Sequence, residues 1–238
     1  MGFNEKTIVI TGSGRGLGRQ IAFSFAESGA NVVVTARTEK EIKQTAEKIN
    51  REKEGKAIYV SADISNEKDV KNLVKRTVKK FNKVDILINN AAIHEANTIL
   101  ETDLSTWKKI IEVNLTGTFL CSKEFGQVMK NQKGGKIINI SSTAANNYFP
   151  GFGAYTASKS GINGLSMVLY EELHEFNINV LTLNLGLVNT QYTRERIKNG
   201  NPDEWIQPEN LAEVIKYFSS NKADIISGTT IDINGKRK

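Results

Sequence analysis

The fold is decided by a stretch near the amino terminus, Thr7-Ile8-Val9-Ile10-Thr11-Gly12-Ser13-Gly14-Arg15-Gly16-Leu17-Gly18. Residues 7–11 have the apolar pattern of a short strand, and a helical pattern begins at Gly16. The glycine-rich segment between them permits the tight turn that joins the strand to the helix. This order of strand, glycine turn and helix is typical of the first unit of a βαβ fold.

Strand-like and helix-like segments continue to alternate from this stretch to the end of the chain, which indicates βαβ units around a parallel sheet. The chain holds no internal repeat or linker. We therefore expect one α/β domain over residues 1–238, with a Rossmann-type doubly wound parallel sheet flanked by helices. Predicted strands cover residues 7–11, 31–36, 56–61, 84–88, 136–140, 178–183 and 229–233, and predicted helices cover 16–28, 39–54, 66–81, 105–130, 154–176 and a last one from near Glu209.

The composition argues against several classes of protein. The net charge is +6, but both signs are interleaved on predicted helix surfaces such as residues 39–54, so nucleic-acid binding is not predicted. No apolar run reaches the roughly 18 residues of a membrane span, and the amino terminus lacks the layout of a signal peptide. A single cysteine, Cys121, and two distant histidines, His94 and His174, argue against a disulfide and a zinc or iron centre. We expect a soluble cytoplasmic protein without a metal.

The glycine turn has the features of a phosphate-binding site. Glycine lets the backbone approach a ligand closely, and the amino terminus of the following helix supplies N–H donors and positive potential. The common G-x-G-x-x-G spacing is absent because residue 17 is leucine, and the glycines fit T-G-x-x-x-G-x-G instead. A glycine-rich turn that binds no ligand is the alternative interpretation.

Tyr155 and Lys159 are four residues apart in a predicted helix, so both side chains lie on one face. A lysine ammonium there lowers the pKa of the phenol, which is about 10 when unperturbed, towards a value useful for proton transfer. The pair therefore predicts an acid–base site. An amphipathic helix with a solvated lysine is the alternative interpretation, because so short a motif also arises by chance.

The chain resembles the short-chain dehydrogenase/reductase family over nearly its whole length, from Thr7 to Asn234. The resemblance is carried by T-G-x-x-x-G-x-G at residues 11–18, by Asn89-Asn90-Ala91-Ala92, which is similar to the family's N-N-A-G, and by the pair Tyr155 and Lys159. Among members of the family, the 3-oxoacyl-carrier-protein reductases are the closest general resemblance.

The resemblance implies four catalytic residues, Asn114, Ser142, Tyr155 and Lys159. It implies that Tyr155 gives a proton to a carbonyl oxygen held by Ser142, while Lys159 lowers the pKa of the tyrosine and binds the nicotinamide ribose. Asn114 is expected to hold a water that connects Lys159 to solvent. Ser142 is preferred because its spacing of 13 residues to Tyr155 matches the family, which leaves Ser141 as a structural neighbour or a cofactor contact.

The resemblance also implies a nicotinamide dinucleotide. NAD enzymes of this architecture place an acid about 20 residues beyond the glycine turn, but here the second predicted strand ends in Ala36-Arg37-Thr38. Arg37, with Arg15 in the turn, is suited to pair with a 2′-phosphate, so we expect NADP(H) to be preferred over NAD(H). The expected cofactor contacts are Gly12, Ser13, Gly14, Arg15, Gly16, Leu17, Arg37, Asp63, Ile64, Asn90, Ala91, Tyr155, Lys159, Val188 and Thr190.

Residues 189–208 interrupt the alternating pattern with a polar segment that holds Pro202 and Pro208. A connection this long is typical of a substrate-binding loop, and a plain surface excursion is the alternative. Two other positions depart from the family pattern. Leu185 stands in place of a usual proline, and Ala92 stands in place of a usual glycine.

The predicted function is NADP(H)-dependent oxidoreduction of a small-molecule carbonyl or secondary alcohol. A non-catalytic NADP-binding regulator or scaffold of the same fold is the alternative, and a nucleotide-sugar epimerase or lyase is a weaker third. By resemblance, acyl-carrier protein is a candidate partner. The related reductases often present arginines to the acidic carrier near the ends of the two long helices. Here Lys133 keeps a positive charge at one of these positions, but Phe176 at the other is uncharged. The resemblance also implies a homo-oligomer, a tetramer or a dimer, built on the two long helices.

Overall fold

The computed structural model describes residues 2–235 and contains a sheet of seven parallel strands. The strands are hydrogen-bonded in the order β3-β2-β1-β4-β5-β6-β7. This order confirms the predicted Rossmann-type parallel sheet in a single domain. The strands are β1 (Thr7–Thr11), β2 (Asn31–Ala36), β3 (Ala57–Ser61), β4 (Ile86–Asn89), β5 (Gly135–Ser142), β6 (Ile178–Leu185) and β7 (Thr229–Ile233).

Helices cover both faces of the sheet. Helices α1, α2 and α8 contribute to one hydrophobic core, and α3, α5 and α6 contribute to the other. Among the described residues, no helix is both long and apolar enough to cross a membrane. The helices are α1 (Gly16–Glu27), α2 (Glu39–Glu52), α3 (Glu67–Phe81), α4 (Leu104–Ile111), α5 (Gly117–Gln132), α6 (Gly153–Leu173), α7 (Gln191–Arg196) and α8 (Pro208–Ser219).

Successive residues of the central strands enter opposite cores. In β1, Ile8 and Ile10 pack in the core beneath α1 and α2, while Val9 packs in the other. This follows from the two-residue period of a strand, whose side chains point alternately to the two faces. Because both faces are covered, the strand needs an apolar residue at every position, which explains the continuous apolar sequence of β1.

The predicted helix over residues 105–130 is interrupted in the structure. A π-helical turn, Glu112–Thr116, lies between α4 and α5. Gly117 follows this turn, and a β-carbon there would come within 2.7 Å of the Ile64 side chain, so α5 starts at a close approach to the segment after β3. The helical period of the sequence continues through the turn, and this is why the sequence predicted a single helix. Such turns are frequent at functional sites.

The segment 189–208 is more ordered than the sequence predicted. It contains helix α7, whose first turn is capped by Thr190, and a short 3₁₀ turn at Pro202–Glu204. Val188 forms an isolated bridge with Ile206, which brings the two ends of the segment together. The segment is therefore a closed excursion from the carboxyl end of β6.

Strands β1 and β4 are neighbours in the sheet although β2 and β3 lie between them in the chain. The connections that leave β1 and β4 therefore run to opposite sides of the sheet. In open α/β sheets this arrangement leaves a crevice at the carboxyl ends of the two strands, and ligands bind there.

Candidate active site

A groove of about 630 Å³ lies in this crevice at the carboxyl ends of the strands. Its walls come from the turns after β1, β2, β3 and β4 and from helices α6 and α7. The structure brings most of the predicted cofactor contacts together here. The predicted contacts that line the groove are Gly12, Gly14, Arg15, Gly16, Leu17, Arg37, Asp63, Ile64, Asn90, Ala91, Tyr155 and Thr190.

The glycine turn is shaped by close backbone contacts. Gly12 has φ +66°, a region that favours glycine, and a β-carbon on it would lie 2.9 Å from Ala91 Cα. Asn90 holds this turn against β4, because its Nδ2 donates to Thr11 O at 2.9 Å and its backbone N–H donates to Thr11 Oγ1 at 3.0 Å. Asn90 and the close approach of Ala91 therefore fix the shape of the turn.

Ser13 does not line the groove, contrary to the prediction. Its side chain is fully buried, donates to Ile10 O at 2.6 Å and accepts from Thr35 N at 2.9 Å. Its backbone N–H donates to Thr35 O. All of these groups hold β1 to β2, so Ser13 supports the turn from behind instead of facing a ligand.

Two arginines line the groove, Arg15 in the glycine turn and Arg37 after β2. Arg15 and Arg37 are both exposed, and neither forms an ion pair within residues 2–235. Asp63 lies on the wall after β3, where its Oδ1 accepts from Ser65 Oγ at 2.6 Å. Two free guanidinium groups at one end of a groove favour binding of an anion such as a phosphate.

The remaining predicted contacts lie on the excursion after β6. Thr190 faces the glycine turn, since its methyl carbon would lie 3.8 Å from a β-carbon on Gly16. Val188 instead packs against the core and pairs with Ile206, so its side chain supports the wall without lining it. Leu185 extends β6, where it pairs with Ile233 of β7.

Tyr155 and Lys159 lie one turn apart on α6, as the spacing predicted. Lys159 Nζ is 5.6 Å from the centre of the Tyr155 ring and donates to Ile140 O at 2.8 Å. Lys159 is 2% exposed, whereas Tyr155 is half-buried and lines the groove. The phenol therefore faces the groove, and the ammonium supports it from inside the protein.

Burial dominates the ionisation of this pair. It raises the pKa of Tyr155 to about 12, while a hydrogen bond with Ser142 acts in the opposite direction. It also lowers the pKa of Lys159 to about 8. Burial here outweighs the lowering expected from Lys159, so the lowered pKa of the phenol stays a prediction for the site with an oxidised nicotinamide beside it. The physical reason is that removing the phenolate from water costs more than the nearby charge returns, and the ammonium is directed to a backbone carbonyl.

The two serines at the end of β5 have different surroundings. Ser142 Oγ accepts from Ala144 N at 3.1 Å, and its hydrogen bond with Tyr155 places it beside the phenol. Ser141 is 3% exposed and donates to the backbone oxygen of Lys159 at 3.2 Å. Ser142 therefore lies beside the phenol, whereas Ser141 is buried against the backbone of α6.

Asn114 lies in the π-helical turn and is fully buried. Its Nδ2 donates to Ile93 O at 2.9 Å and to Ser158 Oγ at 3.0 Å, and its Oδ1 accepts from Ile93 N at 2.8 Å. The side chain therefore joins the segment after β4 to α6, one residue from Lys159. The turn presents the amide at this junction.

The sequence profile described as short chain dehydrogenase matches residues 6–201. The chain belongs to the short-chain dehydrogenase family. An oxidoreductase described as uncharacterized from Thermotoga maritima is 33% identical to it, over 97% of this chain and 94% of that protein. A 3-oxoacyl-[acyl-carrier-protein] reductase from Synechocystis sp. is 32% identical, over 95% of this chain and 94% of the relative.

A solved structure gives the same result for the fold. The 7α-hydroxysteroid dehydrogenase complexed with NADH and 7-oxo glycochenodeoxycholic acid superposes with a TM-score of 0.91 at 26% identity, covering 98% of this chain and 94% of that chain. Short-chain dehydrogenases are oxidoreductases that transfer hydride with a nicotinamide cofactor and act on small molecules. This chain is an oxidoreductase of that family.

Two residues of this short-chain dehydrogenase site were not predicted as site residues. The His94 ring packs edge-on against the Tyr155 ring at 4.9 Å, and burial, with the charge of Arg196 acting in the same direction, lowers the pKa of His94. Glu41, from the first turn of α2, lines the opposite end of the groove. His94 follows β4 closely, and its position in the turn after a central strand was the available signal. Glu41 gave no local signal.

Ala92 lies on the exposed rim of the groove. The close approach to the glycine turn is made by its neighbour Ala91. The alanine that replaces the family's usual glycine thus stands at an exposed position.

Proposed function

We propose that this chain is an NADP(H)-dependent oxidoreductase that interconverts a small-molecule carbonyl and a secondary alcohol, with Tyr155 as the general acid and base. The observation that carries the proposal is one groove with an open glycine turn and two unpaired arginines on its walls, together with a phenol backed by a buried ammonium. A protein that only binds the dinucleotide has no need of this phenol and ammonium.

The residues present fit a dinucleotide. A β-carbon at Gly12 would obstruct the turn, and backbone N–H groups at the start of α1 favour the pyrophosphate. When bound, the nicotinamide ring supplies or accepts the hydride. We propose that Asp63 and Ile64, which line the groove, contact the adenine, and that Lys159 binds the nicotinamide ribose.

Tyr155 is suited to protonate the carbonyl oxygen in the reductive direction. With a pKa near 12 the phenol is neutral at neutral pH, so it holds the proton that the product alcohol needs. Ser142, hydrogen-bonded to the phenol, is placed to hold the same oxygen as negative charge develops on it. Lys159, whose pKa is about 8, is mostly protonated at pH 7 and stabilises the phenolate that remains.

The preference for NADP(H) rests on Arg15 and Arg37. Both guanidinium groups are exposed at the groove and have no carboxylate partner within 4 Å among the described residues. A planar guanidinium pairs well with a phosphate, and its charge is not already neutralised by another residue. No acid stands at the end of β2, where NAD enzymes of this architecture place one.

Aromatic rings surround the reacting phenol and indicate the nature of the substrate. Besides His94, the ring of Phe152 lies 6.0 Å from Tyr155, and Phe149 lies 5.7 Å from Phe152. Tyr192 of α7 donates to His94 O at 3.0 Å, which holds the excursion 189–208 over this end of the groove. We propose that this excursion is the substrate loop, and that the carbonyl sits in a largely apolar setting.

Assembly and partner binding involve other surfaces. Phe119 on α5 and Met167 and Val168 on α6 are exposed apolar side chains, and we propose that these helices join copies of the chain in a dimer or tetramer. Acyl-carrier protein remains a candidate partner. Near Phe176 the positive charge comes from Lys130, whose Nζ lies 4.1 Å over the ring, and from Lys133 at the end of α5.

The test is turnover of ketones and aldehydes with NADPH by the protein and by its Tyr155→Phe variant. We expect the variant to bind NADPH as the parent does and to lose at least a hundredfold in kcat, since it lacks the transferable proton. NADPH binding is measured by fluorescence and turnover by absorbance. Unchanged turnover in the variant would remove Tyr155 from the mechanism, and absence of turnover with normal binding in both would favour a binding protein.

A further inference from the structure

Glu41 lies at the same end of the groove as the two arginines. It is half-buried in the first turn of α2 and lines the groove. Its carboxylate rests on the glycine turn, since Oε2 would be 3.2 Å from a β-carbon on Gly14. Among residues 2–235 this carboxylate forms no hydrogen bond or ion pair, although surface acids such as Glu52 and Glu67 do. An acid with an available acceptor therefore faces the ligand groove.

Side chains of two helices hold the glycine turn at the place where Glu41 meets it. Arg19 of α1 donates from Nε to Gly14 O at 2.8 Å, and Thr45 of α2 donates to the same oxygen at 3.4 Å. The Glu41 β-carbon lies 3.0 Å from the place of a Gly14 β-carbon, so residue 14 has no room for a side chain. The β-carbon of Glu41 therefore packs directly against the glycine turn, with its carboxylate beside it.

A carboxylate at this place acts differently on the two nicotinamide dinucleotides. The 2′-phosphate of NADP(H) adds about two negative charges, which the carboxylate repels. The free ribose hydroxyls of NAD(H) are hydrogen-bond donors, which a carboxylate accepts. Arg15 and Arg37 favour the phosphate, and Glu41 opposes it, so the balance of the three sets the preference.

We infer that Glu41 is a cofactor-specificity residue that favours NAD(H) and limits the preference for NADP(H), so that the site accepts both dinucleotides. This inference rests on the proposed function, because it requires a dinucleotide in the groove. Glu41, an acid of the helix that follows β2, thus takes the place of the acid that is missing at the end of that strand.

The test is the ratio of the dissociation constants for NADH and NADPH, measured by fluorescence titration with the parent and with Glu41→Gln. We expect the ratio Kd(NADH)/Kd(NADPH) to rise about tenfold in the variant, with weaker NADH binding and tighter NADPH binding. The matched control is Glu39→Gln, which removes the same charge from an exposed position in the same turn of α2. Its ratio is expected to change less than twofold.

The titration is repeated at 1 M salt, where charges act over only about 3 Å. We expect the gain in NADPH binding to shrink there, while the loss of NADH binding persists because it reflects a direct hydrogen bond. An unchanged or lower ratio in Glu41→Gln, or an equal change in Glu39→Gln, would overturn the inference and leave the proposed function intact. Binding of neither dinucleotide to the parent would overturn the proposed function as well.

Discussion

At the scale of single residues, the buried lysine is the costly component of this site. Lys159 is 2% exposed, and burial lowers its pKa from 10.5 to about 8, so the folded protein is less stable when this side chain is charged. The lysine was predictable from its spacing to Tyr155, because helical geometry alone places the two together. Its ionisation was not, because that depends on how much protein covers it.

Replacing Lys159 should therefore separate stability from function. We expect Lys159→Met to raise the free energy of unfolding at pH 7 by roughly 1–3 kcal/mol. The variant no longer bears the cost of burying a charged lysine, which the lowered pKa reflects, but it loses the hydrogen bond to Ile140 O. Turnover should be lost. Denaturant unfolding followed by circular dichroism measures the first effect, and NADPH oxidation measures the second.

The pH dependence of this difference follows from the sign of the shift. The pKa of Lys159 is lower in the folded protein, so between about pH 8 and 10.5 the unfolded chain binds a proton that the folded chain does not. The stability of the parent rises with pH across that window, and its difference from Lys159→Met shrinks. The account would be contradicted if Lys159→Met were less stable than the parent at pH 7, or if the difference in their unfolding free energies stayed constant up to pH 10. Either result would show that the charged form of Lys159 does not destabilise the folded protein.

At the scale of elements, the glycine turn depends on how closely α1 approaches β1. A β-carbon on Gly18 would lie 2.4 Å from Gly12 O and 2.6 Å from Asn90 Nδ2. The sequence predicted this turn because glycine spacing is a local signal. It did not predict that Ser13 faces away from the groove, or that a π-helical turn at Glu112–Thr116 presents Asn114, because both depend on contacts with distant elements.

Substitution of Gly18 should displace α1 and damage the turn. We expect Gly18→Ala to lower the free energy of unfolding by roughly 1–3 kcal/mol, as overpacking against backbone does, and to weaken NADPH binding at least tenfold. Gly126→Ala is the matched control, because Gly126 is also a buried helical glycine and its nearest neighbour is Leu173 Cδ1 at 3.8 Å. The control should be neutral or more stable by up to about 1 kcal/mol. Equal effects of the two changes would argue against a close approach at Gly18.

At the scale of the whole molecule, the parallel sheet brings distant segments to one edge. The order β3-β2-β1-β4-β5-β6-β7 places Arg37 after β2, Asn90 after β4 and Ser142 at the end of β5 along the same side. The alternating pattern of strands and helices was sufficient to predict this fold and the edge on which ligands bind. Glu41 was not predicted as a site residue because its place in the groove arises only from the packing of α2, whereas the position of His94 after β4 was a signal that the prediction did not use.

The central claim is that Tyr155 faces the nicotinamide of a dinucleotide seated on the glycine turn. The most direct measurement is a crystal structure of the protein with NADP⁺. We expect the pyrophosphate against the backbone of residues 12–18 and the Tyr155 hydroxyl roughly 3–6 Å from the nicotinamide ring, which leaves room for one carbonyl group between them. A nicotinamide ring bound elsewhere, with the Tyr155 hydroxyl far from it, would contradict the account.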